Sequence, residues 1–432
     1  MNQIVLPFSL DSLKQFFKQS IKVRYIFDYL SELGAKTCII EDRYIDKDYM
    51  VDYQKFYSRS FEKLPRETTR IHFFNEYLCE DDLMVALNGK YEQLTQSYLG
   101  FVVIKPIYRD SNKEIPLLGR TILKTYPKED GNKKRFFVTE KYHASLFGVP
   151  LDVVSLPFQD QDLGVGMCAT TALWSTMQPL INPYGIQRHS PAEITEISSL
   201  HPALSRRFPS DGLTLEQILR YIQSAGLDVE VIGATEKTIP IAVKAYINAR
   251  VPIIAILALK HRGEPEEVWD WHAAVISGYK SNECRNVEEL YIHDDGIGPF
   301  CRAHPVHNNF KFWDNEWISE RGYDTCEVYH LFAPIYSKIR LTFPLIFKYF
   351  EEKQNVARSP ELDLELLLYT IRKYKRFLLD FKIKSKPDML KTFLPRFLWV
   401  IRTYYKNRLL RDDIFDATSV YVRYCKTIAY LE

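Results

Sequence analysis

The chain has 432 residues, 46% of them apolar and 26% charged, with a net charge of +2 at neutral pH. That is length enough for two or three domains with ample core, and a net charge so near zero points to no particular partner. No basic, apolar leader opens the chain and no apolar run approaches the roughly 18 residues of a membrane span, so neither secretion nor a membrane is expected. Seven cysteines (Cys38, Cys79, Cys168, Cys284, Cys301, Cys326, Cys425) are an odd number, widely scattered. They argue against a disulfide framework and for a reducing cytoplasm.

Residues 1–95 alternate helical and extended patterns. Leu10-Asp-Ser-Leu reads as a helix entry, with Leu13, Phe16, Phe17 and Ile21 at helical spacing. Cys38-Ile-Ile reads as a strand, Ile45 to Tyr57 has no clear period, and residues 66–88 are expected to be one or two helices. From Tyr98 the period changes: Tyr98–Ile107, Arg120–Tyr126, Lys134–Glu140 and Val149–Pro157 are strand-like runs between polar turns.

Residues 161–180 carry the first chemical signal. A Gly-bearing loop from Gln161 to Met167 leads into Cys168, after which Ala169, Ala172, Leu173, Trp174 and Met177 recur at helical spacing. A thiol at a helix N-terminus meets unpaired N–H groups and the positive end of the macrodipole, which favour thiolate. A buried, inert thiol is the competing reading. Helix starts follow at Ser190-Pro191-Ala-Glu193 and at Thr214, whose spacing to Gln217 is that of a capping box. Val229–Ile232 reads as a strand and Thr238–Ala249 as a further helix.

Strand patterns then succeed one another. Val251–Lys260 is an apolar run; after a charged loop come Val268–Tyr279, with His272 near its start, and Glu289–Gly296, closed by Asp294 and Asp295. Consecutive antiparallel strands would bring a histidine and a carboxylate together, facing a cysteine on a helix start. A thiol hydrolase needs that set: the base draws the proton from sulfur, and the acid fixes the imidazole tautomer.

Cys168 on its helix start, the Pro-Ile-Ile strand, His-Ala-Ala-Val-Ile-Ser-Gly-Tyr and a strand ending in Asp together resemble papain-fold cysteine peptidases, in particular the double-glycine-leader peptidase branch. The resemblance covers about residues 155–335. It implies an α+β domain of helices followed by an antiparallel sheet. It further implies Cys168 as nucleophile, His272 as general base and acid, Asp294 as orienting group, and a glutamine that builds the oxyanion hole with the cysteine N–H. Family members usually carry that glutamine about six residues before the cysteine. Gln161 lies seven before and Gln159 nine before, and Asp295 is a rival to Asp294.

Other residues carry weaker signals. Cys301, His304 and His307, with His293 and Cys284, could in principle hold zinc, but their spacing fits no common finger and a surface loop is the simpler reading. Trp269 and Trp271 read either as core or as aromatic walls beside His272; Asp270 is expected to be solvated. Residues 336–432 are basic, with about twenty Lys and Arg against about eleven Asp and Glu from Ser337 onward. Leu366–Leu379 and Phe397–Lys406 read as amphipathic helices, punctuated by Pro360, Pro387 and Pro395. These helices could face water, dock on the catalytic domain, self-associate, or bind an acidic partner or nucleic acid.

The expected organisation is therefore a mixed α/β region at 1–95, a papain-like catalytic domain at 96–335 and a basic helical region at 336–432. The expected function is cofactor-free, metal-free thiol hydrolysis of a peptide or protein substrate. Acyl transfer by the same triad and an inactive papain-fold scaffold are the alternatives.

Overall fold

The computed structural model describes residues 4–17, 20–108, 116–200, 208–261, 269–356, 361–383 and 386–431. Val268, the charged loop at 262–267 and Pro360 lie outside the described residues.

The N-terminal part is a five-stranded antiparallel sheet of Val5–Pro7, Thr37–Tyr44, Thr68–Phe74, Tyr98–Tyr108 and Pro116–Leu123, in chain order. Cys38-Ile-Ile is a strand, as its composition predicts, and the sheet spans the division expected at 95/96. Two expectations differ here. The aperiodic stretch after Ile45 contains a helix, Lys47–Lys55, started by the side chain of Asp46 accepting from the Tyr49 N–H. Within 66–88, Thr68–Phe74 is a strand, and helix begins only at Glu80. Ile71, Phe73 and Phe74 are buried on both faces of the sheet, which erased the alternation a strand usually shows.

The second sheet closes on itself. Strands Ile253–His261, Trp269–Ser281, Val287–Asp294, Gly298–Val306, Asn309–Asp314 and Tyr323–Tyr336 each pair antiparallel with the next, and the last returns to the first. Closure gives each of the six strands a neighbour on both sides, the slightest joint being the single pair Phe312 and Glu327. Leu227–Gly233 adds to the outside of the last strand, and Lys133–Phe137 to the end of Trp269–Ser281. That last pairing needs Gly278, where a Cβ would run into the Phe136 carbonyl and lie 2.6 Å from the Phe137 ring.

The helix Cys168–Met177 packs against three barrel strands. Every residue after Cys168 is buried, so this helix is enclosed on all sides, with the hydroxyls of Thr170, Thr171 and Ser175 satisfied by hydrogen bonds. The predicted capping box at Thr214/Gln217 is formed, and the helix start expected at Ser190 carries a second one with Glu193. One continuous core links the helix, the barrel, helix Thr238–Asn248, helix Ile21–Glu32 and one face of the N-terminal sheet.

The C-terminal region is not the helical layer its sequence suggested. Its centre is a four-stranded antiparallel sheet of Leu362–Thr370, Phe397–Tyr405, Arg408–Asp416 and Tyr424–Ala429, with helices Phe343–Val356, Ile371–Leu379 and Lys386–Lys391 around it. The run Leu366–Leu379 divides at Thr370, whose hydroxyl accepts from Lys373 N–H and starts a helix where the strand stops. Phe397–Tyr405 is a central strand with Trp399 and Ile401 packed in the main core and Leu398 and Val400 in a separate one. Burial on both faces makes such a strand indistinguishable from a buried helix by period alone.

Candidate active site

The loop before Cys168 is a tight hairpin closed by backbone bonds between Asp162 and Gly166. The Asp162 carboxylate accepts from Gly164 N–H at 2.9 Å and from the Tyr57 hydroxyl. Gly166 is required by crowding, since a Cβ there would lie 2.7 Å from Thr170 Cγ2. Cys168 is the first residue of its helix, and no side chain caps that N-terminus. The first helical backbone bond runs from Thr171 N–H to Met167 O at 3.1 Å. The amides of the first turn and the positive end of the dipole are thus presented at the sulfur. Cys168 is half-buried, the one residue of the helix with solvent contact.

His272 and Asp294 come from neighbouring barrel strands whose register places Val275 opposite His293. His272 Nε2 lies 3.0 Å from Asp294 Oδ2 and 3.6 Å from Asp295 Oδ1. The ring nitrogen left over, Nδ1, is open to a further partner, and the Cys168 side chain lies near enough to act on the charge of the ring. Burial by itself disfavours a charged ring. The charge and hydrogen bond of Asp294, joined by the Cys168 sulfur, nevertheless hold the His272 pKa well above its ordinary value. Asp294 is fully buried, which alone would raise its pKa, but the facing imidazole and two further donors hold it below the usual carboxylate range. Those donors are Trp317 Nε1, 2.7 Å from Oδ2, and Gly296 N–H, 2.8 Å from Oδ1.

The structure brings the His272 imidazole onto a carboxylate, and of the two candidates Asp294 is the one that bonds the ring. The glutamines are less closely tied in. Gln161 is half-buried at the mouth of the hairpin, whereas Gln159 is buried with its Nε2 unpartnered, facing a small cavity shared with Asp295 and His293. Trp271 lies on the opposite strand face from His272, 58% exposed and edge-on to Tyr329. The aromatic wall expected of it is supplied by Trp317, whose ring centroid is 4.9 Å from that of His272. Asp270 is exposed, as predicted, and accepts from Tyr323 and His261.

Trp317 had no sequence signal, for it sits on a four-residue helix, Glu316–Ser319, capped by Asn315. Gly296 makes room for it: a Cβ there would lie 2.7 Å from the indole. Two further contributions come from the N-terminal region. Lys22 pairs with Asp160 and donates to the Asp295 carbonyl at 2.6 Å. Asp48 accepts from Arg120 at 2.6 Å and from Trp174 of the cysteine helix at 3.0 Å. Neither could be found from spacing, since the nearest of these partners in sequence, Asp48 and Arg120, are 72 positions apart.

Of the suggested zinc set, Cys301 is buried, with its thiol donating to Gly298 O, while His304 is half exposed and 3.7 Å from Glu289. The described residues that approach within chelating distance of one another are His272, Asp294 and Asp295. Asp294 already accepts three hydrogen bonds there, from His272, Trp317 and Gly296. Among the described residues no helix is long and apolar enough to cross a membrane, and all seven cysteines are free thiols.

No protein-family model matches the chain, and no curated protein matches it. Among solved structures, it is similar to the peptidase domain of Streptococcus ComA, a bi-functional ABC transporter involved in a quorum-sensing pathway. The match has 16% identity and a TM-score of 0.23, over 41% of this chain and 96% of that one.

Proposed function

We propose that this protein is a papain-like cysteine peptidase acting on a peptide or protein substrate in a reducing compartment such as the cytoplasm. What supports the reading is the bonded pair of His272 imidazole and Asp294 carboxylate, with the Cys168 thiol at an uncapped helix start close enough to act on the ring's charge. His272 takes the thiol proton, and the thiolate attacks the carbonyl carbon of the scissile amide. The C–S bond forms as the carbonyl electron pair moves to oxygen. The Cys168 N–H, with the side chain of Gln161, receives that oxyanion. Collapse breaks the C–N bond, and His272 delivers its proton to the departing amine. Water, deprotonated by His272, then cleaves the thioester and restores the thiol. An amine or thiol acceptor in place of water would make the same intermediate a group-transfer step.

Iodoacetamide at pH 6 tests this directly. An ordinary thiol with a pKa near 8.5 is only about 0.3% thiolate there, whereas one paired with imidazolium is ionised. Cys168 is expected to label ahead of the exposed Cys79 and Cys284, and His272→Gln to slow that labelling about 100-fold. Labelling of Cys168 no faster than that of Cys79 would remove the mechanism.

A further inference from the structure

Asp295 stands beside the relay without belonging to it. It is 4% exposed, its Oδ1 is 3.6 Å from His272 Nε2, and neither of its side-chain oxygens has a hydrogen-bond partner. Its neighbour Asp294 accepts from His272, Trp317 and Gly296. Two carboxylates thus face one imidazole edge, one saturated with donors and one bare. The bare one borders a cavity of about 10 Å³, close to the room one water needs, together with Gln159, His293, Ser175 and Thr171. The Gln159 Nε2 on that cavity is buried and unpartnered too.

We propose that Asp295 is a positioning residue for His272: a second carboxylate that gains and loses a proton while Asp294 stays ionised, and so sets how tightly the imidazole holds its own. This rests on Cys168 and His272 being the reacting pair. A buried carboxylate without donors must keep its proton or lie against a cation. Asp295 can do either, because the cation beside it, His272, is itself titratable. The other charged groups facing it are Asp294, Lys22 from the helix Ile21–Glu32, which grips its backbone carbonyl, and Asp160, which that lysine pairs with. Arg321 binds the carbonyl of Gly296, and burial drives the pKa of His293, on the same cavity, down to about 3, so it adds no charge. Burial pushes Asp295 up to about 6; Asp294 and Asp160 add to the rise, while His272 and Lys22 oppose it. When Asp295 ionises, a second negative charge falls on the imidazole edge and favours imidazolium. The thiolate–imidazolium form of the enzyme then persists to higher pH. When Asp295 is protonated, His272 has Asp294 alone and releases its proton more easily.

The test follows the His272 ring by NMR in full-length protein labelled with 15N-histidine. Its signal is identified by its loss in His272→Gln, and Cys168→Ser keeps the sulfur from titrating alongside. With residue 295 unaltered, the His272 shift should show its main titration above pH 6.5 and a second inflection near pH 6 from the neighbouring carboxyl. Asp295→Asn should erase that inflection and lower the main midpoint by about one pH unit. A single inflection in the unaltered protein overturns the proposal whether or not the variant folds, and so does an unchanged midpoint in folded Asp295→Asn. Iodoacetamide labelling at pH 6 reads the parent mechanism separately: labelling of Cys168 with no Asp295 effect on His272 sinks this inference alone.

Discussion

Two buried ion pairs in this protein, each joining neighbouring antiparallel strands, differ in how completely they are satisfied. In the C-terminal sheet Arg402 faces Asp412 directly across the ladder, both N···O contacts at 2.8 Å. Tyr374 and Tyr430 donate to the same carboxylate, and Tyr369 accepts from the guanidinium, which lies 3.9 Å over the Phe377 ring. Arg402 cannot give up its proton. In the barrel, His272 faces Asp294 at 3.0 Å, but its cation is titratable, and a second carboxylate stands 3.6 Å away without a hydrogen bond of its own. The first pair is a finished structural clamp. The second is left incomplete, which is what the proposed proton transfer would require of a buried charge.

The contrast can be broken first on the structural side. Arg402→Ala strands Asp412 in the core and should cost about 3–5 kcal/mol in urea unfolding, while Arg402→Met with Asp412→Leu should recover most of it. Iodoacetamide labelling of Cys168 should be unchanged in the folded double variant. On the chemical side the order of effects reverses. Asp294→Asn should slow Cys168 labelling at pH 6 about 100-fold, because the imidazolium loses its counter-charge, with a smaller change in stability. Trp317→Phe removes one donor from Asp294. The Asp294 pKa then rises, and the acid limb of the labelling–pH curve should move up by about one pH unit while the rate at pH 6 changes less than about twofold.

The smallest effect concerns stability against pH. Unfolded, Asp295 ionises near pH 3.9; folded, near 6. The native state holds the extra proton, so this group stabilises the fold below about pH 4, and that contribution fades as pH rises through 6. Asp295→Asn should flatten the fall in stability between pH 4 and 6. A wild-type curve no steeper than the variant's in that window would show that the carboxyl titrates elsewhere.

The parts of the site read from sequence were those with a local signature. Cys168 was marked by a glycine-bearing loop running into helix formers, and His272 and Asp294 by their positions at the ends of β-branched runs. Trp317 has no such mark, because what makes it functional is the space Gly296 leaves it. The helix expected at Phe397–Lys406 failed for a related reason. Trp399 and Leu398 are buried in different cores on opposite faces of one strand, so no polar face remained to reveal a period of two. Thr370 shows the opposite case, a strand-to-helix junction set by one hydroxyl inside an apolar run.

By itself the sequence determined which residues could react and which elements carry them, because helix starts, capping boxes and strand patterns are written in residues a few positions apart. Only the tertiary structure decided which carboxylate takes the imidazole, what walls it, and that Lys22 and Asp48 brace the site from the far end of the chain. Those outcomes depend on barrel closure and on which buried groups find donors. Both are set by contacts between segments far apart in the chain, which no local pattern encodes.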